Sequence, residues 1–540
     1  MKFSKRLIII VLLVLLTAPG LTAKAVKEET RRSAPEQPVI FTVGTSEIVE
    51  TLDPHYAVTP AEIRLAKALF PGLFHHDPES GHAEIDLAER WEVNEDSTVF
   101  IFHLKKTAWS DGIPITASTI VESWRRILAP DSEAPFSWYP AMVISGGMEY
   151  NRGIALAEDV QIRALDEYTL YVGLSRPVPF FPEMLTHHSF LVLPVHGLKR
   201  YGQDWEKTDH LVTKGALSLK HRLPDGQVIL RRRDDSNQEK TNYPEELVLK
   251  PIEAETASEA YRSGAVDWIP HGVLKETNMF STDLVKSPYL GLYFALFRSD
   301  TEPYDDPRVR TALANAVDRK KLVSAVMEGK PVPASGLVPE MEYYPGGKSV
   351  SCDLTAAKQL FSLAGFPEGK DFPEMTILYN NSSADIPHER IAHFLQETWE
   401  NSLGITVHPL GRSNKAYLTM LDQGRFDIVL TGWYGDYLDP ETLLGLFASG
   451  SVFNAGGYGN REYDNFLSEA AAVSVTDYAD QLKRMRILKQ AEEVLLEADQ
   501  ALIPLFYPVR ENLIDLDKWG GWHPNLLDNH PLEAVFLKEE

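Results

Sequence analysis

Apolar residues recur with period two in the first third of the chain and with helical period in the second half. In residues 99–104, Val99, Ile101 and His103 alternate with Phe100, Phe102 and Leu104, which predicts a strand with apolar residues on both faces. Ser110, Asp111, Gly112, Ile113 and Pro114 supply turn chemistry after it. Thr116 is placed to cap a helix running to Leu128. Residues 38–45 read as a strand ended at Leu52-Asp53-Pro54, and 61–69 carry a short helical pattern. Residues 160–175 predict a β pair around Asp166 and Glu167, and 214–249 are strand-like with Pro224-Asp225-Gly226 as a hairpin signal. Beyond 307 the pattern becomes an α/β alternation. Helices are expected over 307–327, 354–364, 387–402, 415–423 and 477–499, and strands over 375–379, 405–410 and 426–430.

The extreme N-terminus departs from both patterns. Lys2, Lys5 and Arg6 precede an apolar run from 7 to 16, and Ala23-Lys24-Ala25 forms a small-residue cleavage site. That is an export signal over 1–25, too short to span a bilayer comfortably. Lys24 inside the site, with Pro19-Gly20 before it, leaves an uncleaved anchor as the alternative. Residues 26–37 are polar and poor in large apolar groups, as in a flexible leader. About 500 residues then remain, too many for one core, so two or three lobes are expected. Cys352 is the sole cysteine and has no partner for an internal disulfide, so the fold must rest on its apolar core.

The formal charge is -24, and removing residues 1–25 deletes four cations and no acid. That sign disfavours a nucleic-acid role. It suits either a solvated acidic surface or a cationic ligand. No Gly-x-Ser-x-Gly elbow, His-Glu-x-x-His helix or phosphate loop is present, so an enzyme reading has no motif to stand on. His75-His76-Asp77 and His187-His188 lack the i, i+4 spacing of a helical metal site. No cofactor or metal is expected.

The segment 87–128 closely resembles the signature of the family 5 extracellular solute-binding proteins, the periplasmic peptide-binding components of ABC importers. Further landmarks follow in order along the chain: Leu52-Asp53-Pro54, residues 174–179, 261–267 and 306–312, Asp318-Arg319, Ala364-Gly365-Phe366 and residues 432–440. Most are architectural; Pro307, with Val309 and Leu313 on one face, is explained as a helix start packed against a sheet. The resemblance implies an α/β, two-lobed clamshell of the peptide-binding type with an additional domain. Residues 38–70, 201–287 and 496–540 are assigned to the first lobe, 71–200 to the additional domain and 288–495 to the second lobe. It also implies periplasmic location, a peptide ligand, an inner-membrane ABC permease as partner and a monomer.

Gly432, Trp433, Tyr434, Gly435, Asp436, Tyr437, Leu438, Asp439 and Pro440 carry the candidate chemistry. They are read as a loop after the strand ending near Leu430, where ligand groups gather in α/β sheets. A carboxylate among three rings suits an ammonium, because it only accepts hydrogen bonds and its attraction strengthens as water is excluded. The resemblance implies that Asp436 holds the ligand's α-amine; Asp439, three residues on and beside Pro440, is read as capping or stabilising the turn. It also implies that backbone near Val58, Thr59 and Pro60, and near Trp433 and Tyr434, flanks an extended peptide. Trp138 and Tyr139 are rings that either close over the ligand or pack in the core.

The sequence departs from the resembled pattern where a peptide carboxylate would be read. Leu421 and Leu430 stand where arginines are expected, and Asn414 where an aromatic ring is expected. His388 and Arg412 are either substitutes or plain surface groups. Alternatives therefore stay open: another amine-bearing solute, a nickel or other metal complex, or an exported hydrolase.

Overall fold

The computed structural model describes residues 38–233, 242–274, 282–347, 352–382, 386–473 and 478–539. The expected export signal and leader, 1–25 and 26–37, lie outside the described residues. Among the described residues no helix is long and apolar enough to cross a membrane.

Three sheets organise the chain from Val39 onward. The first has seven strands in the order Leu284–Pro288, Val509–Ile514, Trp268–Ile269, Ile40–Thr45, Glu246–Pro251, Val228–Arg232 and Leu217–Arg222. Ile40–Thr45 pairs in parallel with Glu246–Pro251, and the Pro224 to Gly226 turn joins the last two strands as an antiparallel hairpin. The second sheet has six strands: Val332–Pro333, Leu502–Tyr507, Gly291–Phe297, Ile428–Tyr434, Met375–Asn380 and Val407–Arg412. The third, antiparallel and four-stranded, is Ala88–Val93, Val99–Leu104, Thr169–Gly173 and Ile162–Asp166.

Local chemistry fixes the ends of many elements. Helix Pro60–Leu69 starts at Thr59, whose hydroxyl accepts from Glu62 N while the Glu62 carboxylate accepts from Thr59 N. Helix Ala117–Leu128 starts at Thr116 in the same reciprocal way with Thr119. Along Val99–Leu104 the side chains of Phe100, Phe102 and Leu104 are buried and their alternates half-buried. Gly291–Phe297 is buried at every position, as a strand covered on both faces must be. Its neighbour Leu502–Tyr507 contains Pro504, which has no N–H to give, and the pairing shifts register between Tyr293 and Phe294 opposite it.

Three expectations are corrected. Residues 307–327 form two helices, Pro307–Asn315 and Arg319–Val326, because the Asp318 carboxylate accepts from Lys321 N and starts a new helix. Strand 426–430 runs instead from Ile428 to Tyr434. The boundary drawn at 496 falls too early, since Leu502–Tyr507 belongs to the six-stranded sheet and only Val509–Ile514 returns to the seven-stranded one.

The chain crosses between these two sheets at two adjacent places. Tyr289 and Leu290 separate Leu284–Pro288 from Gly291–Phe297, and Pro508 alone separates Leu502–Tyr507 from Val509–Ile514. Tyr289 N donates to Pro508 O at 3.0 Å, tying the crossings together. Two short adjacent connections, running in opposite directions, leave few dihedrals through which the lobes can rotate, which is the construction of a hinge.

Candidate functional site

Strand Ile428–Tyr434 positions the site. It pairs antiparallel with Gly291–Phe297 along its whole length, Gly291 opposite Tyr434 and Leu292 opposite Trp433. On its other side Met375–Asn380 pairs only with Ile428 and Val429. The outer backbone edge of 431–434 therefore has no strand beside it among the described residues. Gly435 N then donates to Leu290 O at 2.7 Å, and a Cβ at this position would come within 2.6 Å of the Leu290 side chain. Only glycine permits that approach.

Directly after this turn, Asp436 lines a cavity of about 910 Å³ between residues of the 138–180 region and residues 433–488. Its backbone N–H donates to Thr442 Oγ1 at 3.2 Å. Its carboxylate has no hydrogen-bond or ion-pair partner among the described residues. Burial pushes this carboxyl up to about 6, with no nearby cation to oppose the effect. Asp439, three residues on, is the contrast. Its oxygens take a two-pronged bond from the Arg484 guanidinium, both groups being buried, and Oδ1 accepts from Glu441 N at 3.0 Å. One carboxylate is spent on structure and the other is free.

Aromatic rings and a second ion pair complete the wall. Trp433 packs on Phe453 at 4.8 Å, and Phe453 faces Trp138 at 6.3 Å. The buried Trp433 indole N–H has no acceptor among the described residues. Tyr437 stacks on Phe180 with centroids 5.0 Å apart, and its hydroxyl donates to Glu441. Glu441 also meets Arg176 at 3.1 Å. Arg484 lies over the Phe180 ring at 5.1 Å. Both cations lining the cavity thus already have carboxylate partners.

The structure gathers Asp436, Trp433, Tyr437 and Trp138 around this cavity and sends the other expected residues elsewhere. Tyr139 is 0 % exposed, with its ring 4.2 Å from His187 in the core, because the helix turning at Trp138 points consecutive side chains in different directions. Tyr434 alternates to the opposite face of its strand; it is 45 % exposed and packs on Tyr289 beneath Arg510. Val58 is 52 % exposed, Thr59 is occupied as a helix cap and Pro60 opens the helix; none lines the cavity. Asn414 accepts from Asn380 Nδ2 at 3.0 Å on an exposed surface away from the cavity. Leu430 is buried and Leu421 packs against the core. His388 is held by the Tyr293 hydroxyl, and Arg412 donates to Gly411 O. Sequence reasoning missed Phe180, Phe453 and the Arg176–Glu441 pair. Arg176 lies inside the 174–179 landmark, read as architecture, and Phe453 carries no local signal.

Comparison with known proteins places the chain in a family and a fold. The model of the bacterial extracellular solute-binding proteins, family 5, matches residues 83–455. The periplasmic oligopeptide-binding protein OppA of Salmonella typhimurium is 30 % identical over 507 residues, covering 91 % of this chain and 90 % of that protein. The unliganded open form of the periplasmic murein tripeptide-binding protein MppA, 25 % identical, superposes with a TM-score of 0.83 over 94 % of this chain and 98 % of that one. Haemophilus influenzae OppA in complex with RPPGFSPFR, also 25 % identical, gives 0.67 over 93 % and 100 %.

Proposed function

The chain belongs to the family 5 bacterial extracellular solute-binding proteins, and from that premise we propose that it captures peptides in the periplasm and passes them to an ABC permease, with Asp436 holding the peptide α-amine. The observation that carries this reading is the unpartnered Asp436 carboxylate in the 910 Å³ cavity. A buried carboxylate that costs free energy to ionise when alone becomes favourable once an ammonium fills the space beside it.

The open backbone edge of 431–434 supports an extended ligand added as a strand, which binds the groups all peptides share. Trp138, Trp433, Tyr437, Phe180 and Phe453 then offer apolar surface to side chains without selecting one. Backbone near Val58 to Pro60 belongs to the lobe carrying the seven-stranded sheet, and in this proposal it meets the ligand only on closure about the 289–290 and 508 crossings. The division into two lobes and an additional domain at 71–200, and action as a monomer, are part of the same proposal. With Leu421 and Leu430 apolar and packed, no cation stands ready for a ligand carboxylate at those positions. That favours, as the second reading, an amine-bearing solute whose far end is not a free carboxylate.

Calorimetry with tri-alanine and N-acetyl-tri-alanine tests the assignment. The free peptide should bind and the acetylated one should bind well over tenfold more weakly, since acetylation removes the charge that Asp436 meets. Equal affinities would remove the amine anchor.

A further inference from the structure

A second cavity, of about 230 Å³, lies between helix Pro60–Leu69, strand Phe74–His76 and residues 529–533, and it shares no lining residue with the Asp436 cavity. Its wall carries charges of both signs. Arg64 and Lys67, one turn apart on the helix, line it together with Lys214, and Asp86 and Glu533 line it from other segments.

These groups are incompletely satisfied. Arg64 lies over the Trp268 ring at 4.5 Å, and its guanidinium has no hydrogen-bond partner among the described residues. Lys67 Nζ reaches Asn529 Oδ1 at 3.3 Å and His76 Nδ1 at 3.4 Å, both long contacts. Asp86 accepts one bond, from Gly72 N at 3.1 Å, and the Glu533 carboxylate accepts none from another described residue. No ion pair within 4.0 Å joins Arg64, Lys67 or Lys214 to Asp86 or Glu533 among the described residues. Burial lowers Arg64 to about 10 and Lys67 to about 8, and it raises both carboxyls. Charges of both signs act across the space: Glu533 opposes the lowering of Lys67 more than Arg64 adds to it, and His75 and Arg232 each oppose the raising of Glu533 more than Asp86 adds to it.

Half-buried charges of opposite sign that served stability alone would be expected to pair, because an unpaired one bears its share of the desolvation cost uncompensated. Here they stand apart around a space far larger than the ~10–15 Å³ one water needs. We propose that this cavity is a second binding site, for a small zwitterion of the free α-amino-acid class, its carboxylate set against Arg64 and Lys67 and its ammonium against Asp86 and Glu533.

The test begins with a thermal-shift screen of the twenty protein amino acids against the Asp436→Asn protein, in which the peptide-amine site is disabled. At least one should raise the melting temperature saturably, and calorimetry on that amino acid should give one site. Its N-acetyl and amide derivatives, each lacking one charge, should bind at least tenfold more weakly. Arg64→Gln and Glu533→Gln should each lower its affinity at least tenfold while tri-alanine binding in an otherwise wild-type background is unchanged. The site is refuted if no amino acid shifts the melting temperature. It is equally refuted if either derivative binds as well as the amino acid, or if both variants bind like the parent. Should the variants fail to fold, the derivatives decide alone. Loss of tri-alanine binding in the wild type would count against the peptide reading and not against this one.

Discussion

Replacing Asp436 by Asn should move stability and affinity in opposite directions. A carboxyl raised from 3.8 to about 6 costs about 3 kcal/mol more to ionise in the empty cavity than in water. The charged form therefore opposes folding, with no penalty below pH 3.8 and the full penalty above about 6. Asn keeps the shape and omits the charge, so the ligand-free Asp436→Asn protein should be more stable at pH 7 by up to about 3 kcal/mol and equal to wild type at pH 4. Tri-alanine affinity should fall by about 2–5 kcal/mol, well over tenfold, because the ligand's ammonium loses its partner. Wild-type affinity should also fall about tenfold per pH unit below 6, where Asp436 protonates, and again above about 8, where an α-amine loses its proton. The acid limb should be absent in Asp436→Asn. Urea denaturation and calorimetry from pH 4 to 9 measure all of this. A variant less stable than wild type at pH 7, or an acid limb that persists in it, would refute the argument that this carboxylate is desolvated and unpaired.

Arg484→Met leaves Asp439 buried without its cation and should cost about 3–5 kcal/mol in urea denaturation; a loss under 1 kcal/mol would mean the pair is not buried as described. Tyr139→Phe should change stability by no more than about 1 kcal/mol, in the favourable direction, and leave peptide affinity unaltered, because the hydroxyl is buried with no partner among the described residues. A tenfold loss of affinity would instead place that hydroxyl on the ligand. Gly435→Ala drives a Cβ into the Leu290 side chain, so it should destabilise by about 1–3 kcal/mol and weaken peptide binding by displacing Asp436; unchanged affinity would show the loop tolerates the shift. In small-angle scattering, saturating tri-alanine should reduce the radius of gyration as the lobes turn about 289–290 and 508, and an unchanged profile would argue against closure.

The sequence by itself determined what short-range chemistry controls. The helix start at Thr116, the turn at 224–226 and the strand 99–104 were legible because capping, turn preference and alternation act within a few residues. Order along the chain made the family resemblance legible, and through it the loop containing Asp436. Tertiary structure supplied the partner that occupies Asp439: the Arg484 guanidinium, 45 residues away, which no local pattern indicates. It also carried strand 428–434 past its apparent end by pairing it with Gly291–Phe297, and it drew Leu502–Tyr507 into the six-stranded sheet. Trp138 and Tyr139 are neighbours in sequence, yet one lines the cavity and the other fills the core. Phe180 and Phe453 reach the site from segments hundreds of residues apart. Burial and pairing are set by contacts between distant segments, and a linear pattern records only the residue types available to make them.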